Sequence, residues 1–261
     1  MADEFSKIFD RSKNTYREPA AEVNFEEFIK DVESRRSVRG FDGQSLPEDV
    51  MRKCLELALL APSSSNLQPW EFYWVRNKEK RSELNKAFLS QPAVTTAGDI
   101  VVCVARTKTW HKNAKKMLQV LSEQEAKGQS AHKAVFVYYK KLVPFVYGLG
   151  PFGLFGCIKK LIFFFRGLST PTPREPTSYS DMKIWAVKSA ALACENLMLA
   201  FRAAGYDSCP MEGMDSSRVK KILNLPCDAI VVMGISAGRR VHGGVYGPRV
   251  RFDSAQFIKE I

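Results

Sequence analysis

From Ile184 to Ala204 the chain carries only three charged side chains, Lys188, Glu195 and Arg202. Read as a helix, this stretch is apolar around most of its girth, and such a helix has to be buried nearly all round. In 261 residues, the size of one large domain or two small ones, two placements satisfy that demand: the centre of a core, or an interface between subunits. Gly205 follows directly, where a helix commonly ends in a left-handed residue. The rest of the chain has to be arranged about this helix.

Phe25, Phe28, Ile29 and Val32 recur at helical spacing and predict a helix over 25–32. Residues 1–24 are polar and aperiodic, and are expected to form an N-terminal arm ahead of a domain spanning 25–261. Pro47, Glu48 and Asp49 suit the first turn of a second helix, which stops at Ala61 because the residue before Pro62 disfavours helical geometry. Runs of β-branched and aromatic residues predict strands over 71–76, 99–105 and 229–235, with a short one over 206–211. Helices are expected over 78–89, 110–127 and 216–223, the last N-capped by Asp215. The elements alternate irregularly, and no glycine-rich turn follows the first strand. An α+β layout with a small sheet is therefore favoured over a doubly wound dinucleotide-binding sheet. No internal repeat is visible.

The formal net charge is +11, from 39 Lys+Arg against 28 Asp+Glu, so anions are the expected partners. The basic residues are dispersed, and no helix-turn-helix, RNA-recognition or zinc motif is present, so no nucleic-acid partner is expected. None of the six cysteines forms a C-x-x-C pair, and reduced, mostly buried thiols are expected. His111, His132 and His242 lack metal-ligand spacing, so no metal is expected. The polar first residues lack the apolar core of a secretory signal, which makes a cytoplasmic protein the expectation.

Four segments carry chemistry. Arg35-Arg36-Ser37-Val38-Arg39 offers forked cations and a hydroxyl, a set that suits a phosphate monoester, although a solvated basic turn reads the same way. In the loop from Pro62 to Pro69, Ser64, Ser65, Asn66 and Gln68 provide hydroxyls and carboxamides able to meet the edge of a heterocycle; an ordinary loop also explains them. Glu212 and Gly213 follow the short strand over 206–211, with Gly213 allowing close backbone approach or a positive φ; a plain strand–helix junction is the other reading. Arg249 and Arg251 alternate, so an extended backbone would point both to one side, toward the first arginine cluster.

In combination and order, these segments resemble the FMN-dependent nitroreductase superfamily, which includes flavin reductases, enone reductases and reductive dehalogenases. The resemblance covers about 25–104 and 183–258 and is sharpest at RRSVRGF, LAPSSSNLQPWEF, ALACENLMLAFRAAGYDSCPMEGMD and RVRF. It implies an intertwined homodimer of α+β subunits, each a small, mostly antiparallel sheet flanked by helices, with FMN sites built from both chains. On this resemblance Arg35, Ser37, Arg249 and Arg251 hold the FMN phosphate, with Arg36 in the same run. Arg39 lies near the flavin N1/O2 edge, and supports its charge. Ser64, Ser65, Asn66 and Gln68 reach the ribityl chain and ring from the partner subunit. Glu212 and Gly213 form the turn near N5 and O4, and the helix from Ile184 is the dimer helix. The implied reaction passes hydride from NADH or NADPH through flavin N5 to a nitroaromatic, quinone, enone or similar small acceptor, with no protein nucleophile. A flavin-binding carrier or sensor without robust turnover is the alternative.

The stretch from about 106 to 181 is a family-variable insertion. Within it, 142–168 is interrupted by Pro144, Pro151, several glycines and Lys159-Lys160, so it is no unbroken span of the ~20 apolar residues that cross a bilayer. Its aromatics, Phe145, Tyr147, Phe152, Phe155 and Phe163 to Phe165, are expected to form a lid with an apolar acceptor pocket. The rival expectation is peripheral contact of 142–168 with an anionic membrane surface. Residues 169–180, rich in Pro, Ser and Thr, read as a loop.

Overall fold

The computed structural model describes residues 18–128 and 133–261. Most of the expected arm, and His132, lie outside the described residues; 18–24 has no regular secondary structure. In chain order the elements are α1 (Phe25–Ser34), α2 (Glu48–Ala58), β1 (Trp70–Trp74), α3 (Lys78–Ala87), α4 (Pro92–Thr95), β2 (Asp99–Arg106), α5 (Trp110–Ala126), α6 (Lys133–Val137), a π-helical stretch Tyr138–Leu142, α7 (Val143–Tyr147), α8 (Leu154–Arg166), α9 (Tyr179–Ala203), β3 (Asp207–Met211), α10 (Ser216–Ile222) and β4 (Ala229–Gly238).

The four strands form one sheet in the order β1-β2-β4-β3, every pair antiparallel. β2 is buried along nearly its whole length, and its period-two alternation sorts the core into two layers. Val101, Cys103 and Ala105 pack on the side of α9 with Ala190, Leu197 and Phe201. Ile100, Val102 and Val104 pack on the opposite side with Leu84 and Phe88, at the end of α3. Asp99 ties the start of β2 to its surroundings, accepting from the Leu46 N–H at 2.7 Å and the Trp74 indole N–H at 2.8 Å. The expected α+β class with a small antiparallel sheet is what the chain adopts.

The long apolar helix begins at Tyr179, before the apolar run itself and inside the segment read as a loop. Its start is fixed by a capping box: Ser178 Oγ accepts from the Asp181 N–H, and the Asp181 carboxylate accepts from the Ser178 N–H. This polar signal is invisible to a search for apolar periodicity. Gly205 ends the helix with φ +84°, as expected. Most of the girth of α9 is buried, but Ile184, Lys188, Leu192 and Glu195 form an exposed stripe along one side. Beside it, α1 buries none of its residues, so the face made by Phe25, Phe28 and Val32 looks outward. Among the described residues, α9 is also the one unbroken helix long and apolar enough to cross a membrane, and more than half of that window is buried in the fold.

Candidate functional site

The arginine run is extended and lies along the free edge of β3. Ser37 pairs in parallel with Ser208, and the Val38 N–H donates to the Ser208 carbonyl at 3.1 Å. Val38 is completely buried, which fixes the register. The C-terminal tail closes the other side: the Arg39 N–H donates to Gly244 O at 2.7 Å, and the Val241 N–H to Gly40 O at 3.2 Å. Gly244 is required at this crossing, because a Cβ there would lie 2.4 Å from Gly40 O.

The crossing brings Arg35, Arg36, Ser37 and Arg39 against Arg249 and Arg251 around one cleft of about 390 Å³, completed by the 245–248 turn and Val250. No acidic side chain lines it. Most of its arginines are held by neighbouring groups. Arg35 lies 3.8 Å from Glu195 of α9, Arg36 donates to Gly247 O at 2.5 Å, and the Arg39 guanidinium sits 5.4 Å from the centre of the Tyr246 ring. Arg249 donates to Glu33 O and Arg35 O at 2.6 and 2.5 Å, at the end of α1 and beside the first arginine cluster. Arg251 donates to Val250 O, and both still reach the cleft. Arg36 and Arg249 also border a second basic hollow with Arg202, Arg239 and Arg240, the first and last of which pair with the buried Asp207. The sequence reading did not single out that trio.

The serine loop sits in a different cleft. Ser64 to Asn66 form a 3-10 turn in which Ser65 and Asn66 are left-handed, as is Gln68. Three tyrosines of the 138–147 segment hold it. Ser64 Oγ and Ser65 Oγ lie 2.9 and 3.1 Å from the Tyr147 hydroxyl, Ser65 Oγ lies 2.5 Å from that of Tyr138, and the Tyr139 hydroxyl donates to Ser65 O at 2.9 Å. Burial pushes the Tyr139 phenol up to about 12, so it stays a neutral donor through the physiological range. Gln68 donates to the Asn66 side chain at 3.2 Å. The cleft measures about 630 Å³ and runs between this loop, the 138–147 segment, Pro173 to Pro176, and the exposed stripe of α9. Trp185 lines it with a buried indole N–H that has no partner and a ring 4.9 Å from that of Tyr147.

Glu212 and Gly213 are exposed just past β3. Gly213 is not left-handed, which corrects one of the two expectations for it; its carbonyl accepts from the Gln91 amide at 2.7 Å. One chain thus gathers Arg35, Arg36, Ser37, Arg39, Arg249 and Arg251 in one place, and Ser64 and Ser65 in another. Asn66, Gln68, Glu212 and Gly213 border neither cleft. The expected aromatic pocket is divided as well. Tyr147 lines the larger cleft; Phe145, Phe155 and Phe163 pack edge-on among themselves; Phe152, Phe164 and Phe165 face outward. Tyr138, Tyr139 and Trp185 were missed, because their roles come from contacts far apart in sequence. Among the described residues no group of His, Cys, Asp and Glu could hold a metal ion.

Comparison with known proteins bears on this arrangement directly. The protein DrgA of Synechocystis sp. is 27% identical over 210 residues, covering 80% of this chain and 82% of the relative. A Thermus thermophilus protein named NADH dehydrogenase is 27% identical over 207 residues, covering 78% and 82%. A nitroreductase-type protein of Exiguobacterium sibiricum, solved in complex with FMN, superposes with a TM-score of 0.65 at 23% identity, over 94% of this chain and all of that one. The model of the nitroreductase family matches residues 32–239, a span that includes the arginine run, the serine loop, the whole sheet and α9, and the chain therefore belongs to the nitroreductase family.

Proposed function

We propose that this chain is an FMN-dependent oxidoreductase that takes hydride from NADH or NADPH and passes it to a small acceptor such as a nitroaromatic, quinone or enone. The observation that carries the reading is the acid-free cleft walled by Arg35, Ser37, Arg39, Arg249 and Arg251. Forked cations and a hydroxyl converging on a cleft with no carboxylate in its lining fit the dianionic phosphate of FMN, which takes charge-assisted, bidentate hydrogen bonds. The FMN bound by the Exiguobacterium protein and the name of the Thermus relative point the same way.

Bound FMN supplies the hydride chemistry. The duties of the protein are to bind, orient and exclude water. Arg35, Ser37, Arg249 and Arg251 grip the phosphate, with Arg36 beside them. Arg39, stacked on Tyr246, provides a preorganised cation for negative charge on the flavin. Ser64, Ser65, Asn66 and Gln68 lie apart from the arginine cleft, so the complete site needs a second copy of the chain. The outward apolar face of α1 and the open stripe of α9 supply the surface for that homodimer. The 138–147 segment, tied to Ser64 and Ser65 through its tyrosines, serves as the lid over the acceptor.

The arginine cleft is tested by titrating the flavin-free protein with FMN and with riboflavin, which lacks the phosphate, and following flavin fluorescence. FMN is expected to bind at least about tenfold more tightly, since hydrogen bonds between charged groups contribute about 1.5–3 kcal/mol. Equal affinity for the two flavins would remove the phosphate role from these arginines.

A further inference from the structure

Helix α8 is mounted with a lysine inward and most of its large apolar residues outward. Its attachment uses Gly156, Lys159 and Phe163, the residues it buries. Lys159 is completely buried, donating to Val146 O at 2.6 Å and Pro176 O at 2.9 Å. Gly156 lets the helix backbone lie against residues 176–177 of the loop: a Cβ there would sit 2.2 Å from Thr177 O. Arg174 fastens the far end by donating to Phe163 O and Gly167 O. The helix is thus held at several points and not free to roll over. What it presents to the outside is Leu154, Ile158, Leu161, Phe164, Phe165 and, just beyond it, Leu168. Leu161 and Phe165 are 61% and 64% exposed.

An ordinary surface helix does the reverse, burying its apolar stripe and leaving lysine in water. Burying a lysine in order to expose leucines and phenylalanines costs free energy in water and pays back only where the outside is apolar. The charge around the helix narrows the choice of what lies there. Between Glu125 and Glu175 the sequence contains no acidic residue, while Lys133, Lys140, Lys141 and Lys160 are exposed. An exposed apolar helix face that carries Lys160, within a lysine-bearing stretch of sequence without acidic residues, is the pattern that enters the headgroup region of an anionic membrane, where acyl chains take the apolar side chains and lipid phosphates meet the lysines.

We propose that α8 is a peripheral membrane-docking helix, which seats the protein on anionic lipid through Leu154, Ile158, Leu161, Phe165 and Leu168 with Lys160 at the rim. The proposal is independent of the flavin chemistry, because it rests on a helix outside both clefts.

The test is co-sedimentation of the full chain with phosphatidylcholine vesicles, with and without phosphatidylglycerol. Wild type is expected to sediment with the anionic vesicles and far less with phosphatidylcholine alone. Leu161→Glu or Phe165→Glu is expected to lower partitioning by about tenfold or more, and Lys160→Glu by roughly fivefold. All three positions are exposed, so thermal unfolding should match wild type and certify the fold. Wild type that stays in solution with anionic vesicles overturns the proposal, as do glutamate variants that bind as well as wild type. A Leu161→Glu variant that changes oligomeric state in size-exclusion while no form binds vesicles overturns it too, and assigns the face to contact between copies.

Discussion

The two most apolar long helices of this protein are used in opposite ways. α9 buries Trp185, Ala190, Cys194, Leu197 and Phe201 against the sheet and leaves a narrow stripe outside. α8 buries a glycine, a lysine and one phenylalanine, and turns most of its large apolar residues outward. Both would score as helices that belong in a core. The difference lies in what the rest of the chain offers each of them: α9 meets the apolar face of β2, whereas α8 meets the bare carbonyls of Val146, Pro176 and Thr177, which call for a donor and close backbone approach. Hydropathy fixes how much of a helix wants to leave water; the partner surface decides which side does.

The comparison is broken most easily at Leu197. Leu197→Ala, in a fully buried position, is expected to cost about 2–5 kcal/mol, while Leu161→Ala on the outer face of α8 should change stability by no more than about 0.5 kcal/mol. Urea unfolding measures both, and similar losses would mean that α8 is packed as α9 is. Next in size, Arg249→Ala should weaken FMN binding by about 1.5–3 kcal/mol, and Leu161→Glu should leave it unchanged; fluorescence titration separates the two. A smaller effect, about 1–3 kcal/mol, is expected for Gly156→Ala, because the added methyl meets a backbone carbonyl. Protease cutting within 148–178 should quicken while the β2 amides keep their hydrogen-exchange protection.

A further effect, read as a pH dependence, concerns Lys159. Burial pushes its amine down to about 8, with Asp181 pulling the other way. In the unfolded chain the proton is held until about pH 10.4. Between those values the unfolded state binds more protons, so stability rises with pH across that window, by up to about 3 kcal/mol. Denaturant titrations at the two ends of the window should show this rise in wild type and its loss in Lys159→Met; equal pH dependence would mean that the amine is not held as described.

Much of this was legible in the sequence where the signal is local. The β-branched run over 99–105, the helical spacing of Phe25 to Val32, Asp215 as an N-cap and Gly205 as a C-terminal cap all describe neighbours in the chain, and the structure follows them. The meeting of Arg35 to Arg39 with Arg249 and Arg251 was also legible, because the chemistry of a phosphate site needs both. What depends on distant partners was not. Nothing in Tyr138-Tyr139 announces a bond to Ser65, nothing in the apolar run from Ile184 announces the Ser178–Asp181 capping box, and the pattern of α8 names its apolar residues without saying that the helix hangs by Lys159. Arg249 meets the first arginine cluster through the Glu33 and Arg35 carbonyls at the end of α1, a backbone contact that its alternation with Arg251 does not announce.

The central claim is that the chain holds a flavin and reduces it with a nicotinamide. The most direct measurement is the visible absorption spectrum of the FMN-loaded protein without oxygen, before and after NADH and then NADPH. The account predicts a bound-flavin spectrum that one of the two nucleotides bleaches, with colour returning when a quinone or nitroaromatic is added. A protein that takes up no FMN, or a bound flavin that neither nucleotide bleaches, would contradict it.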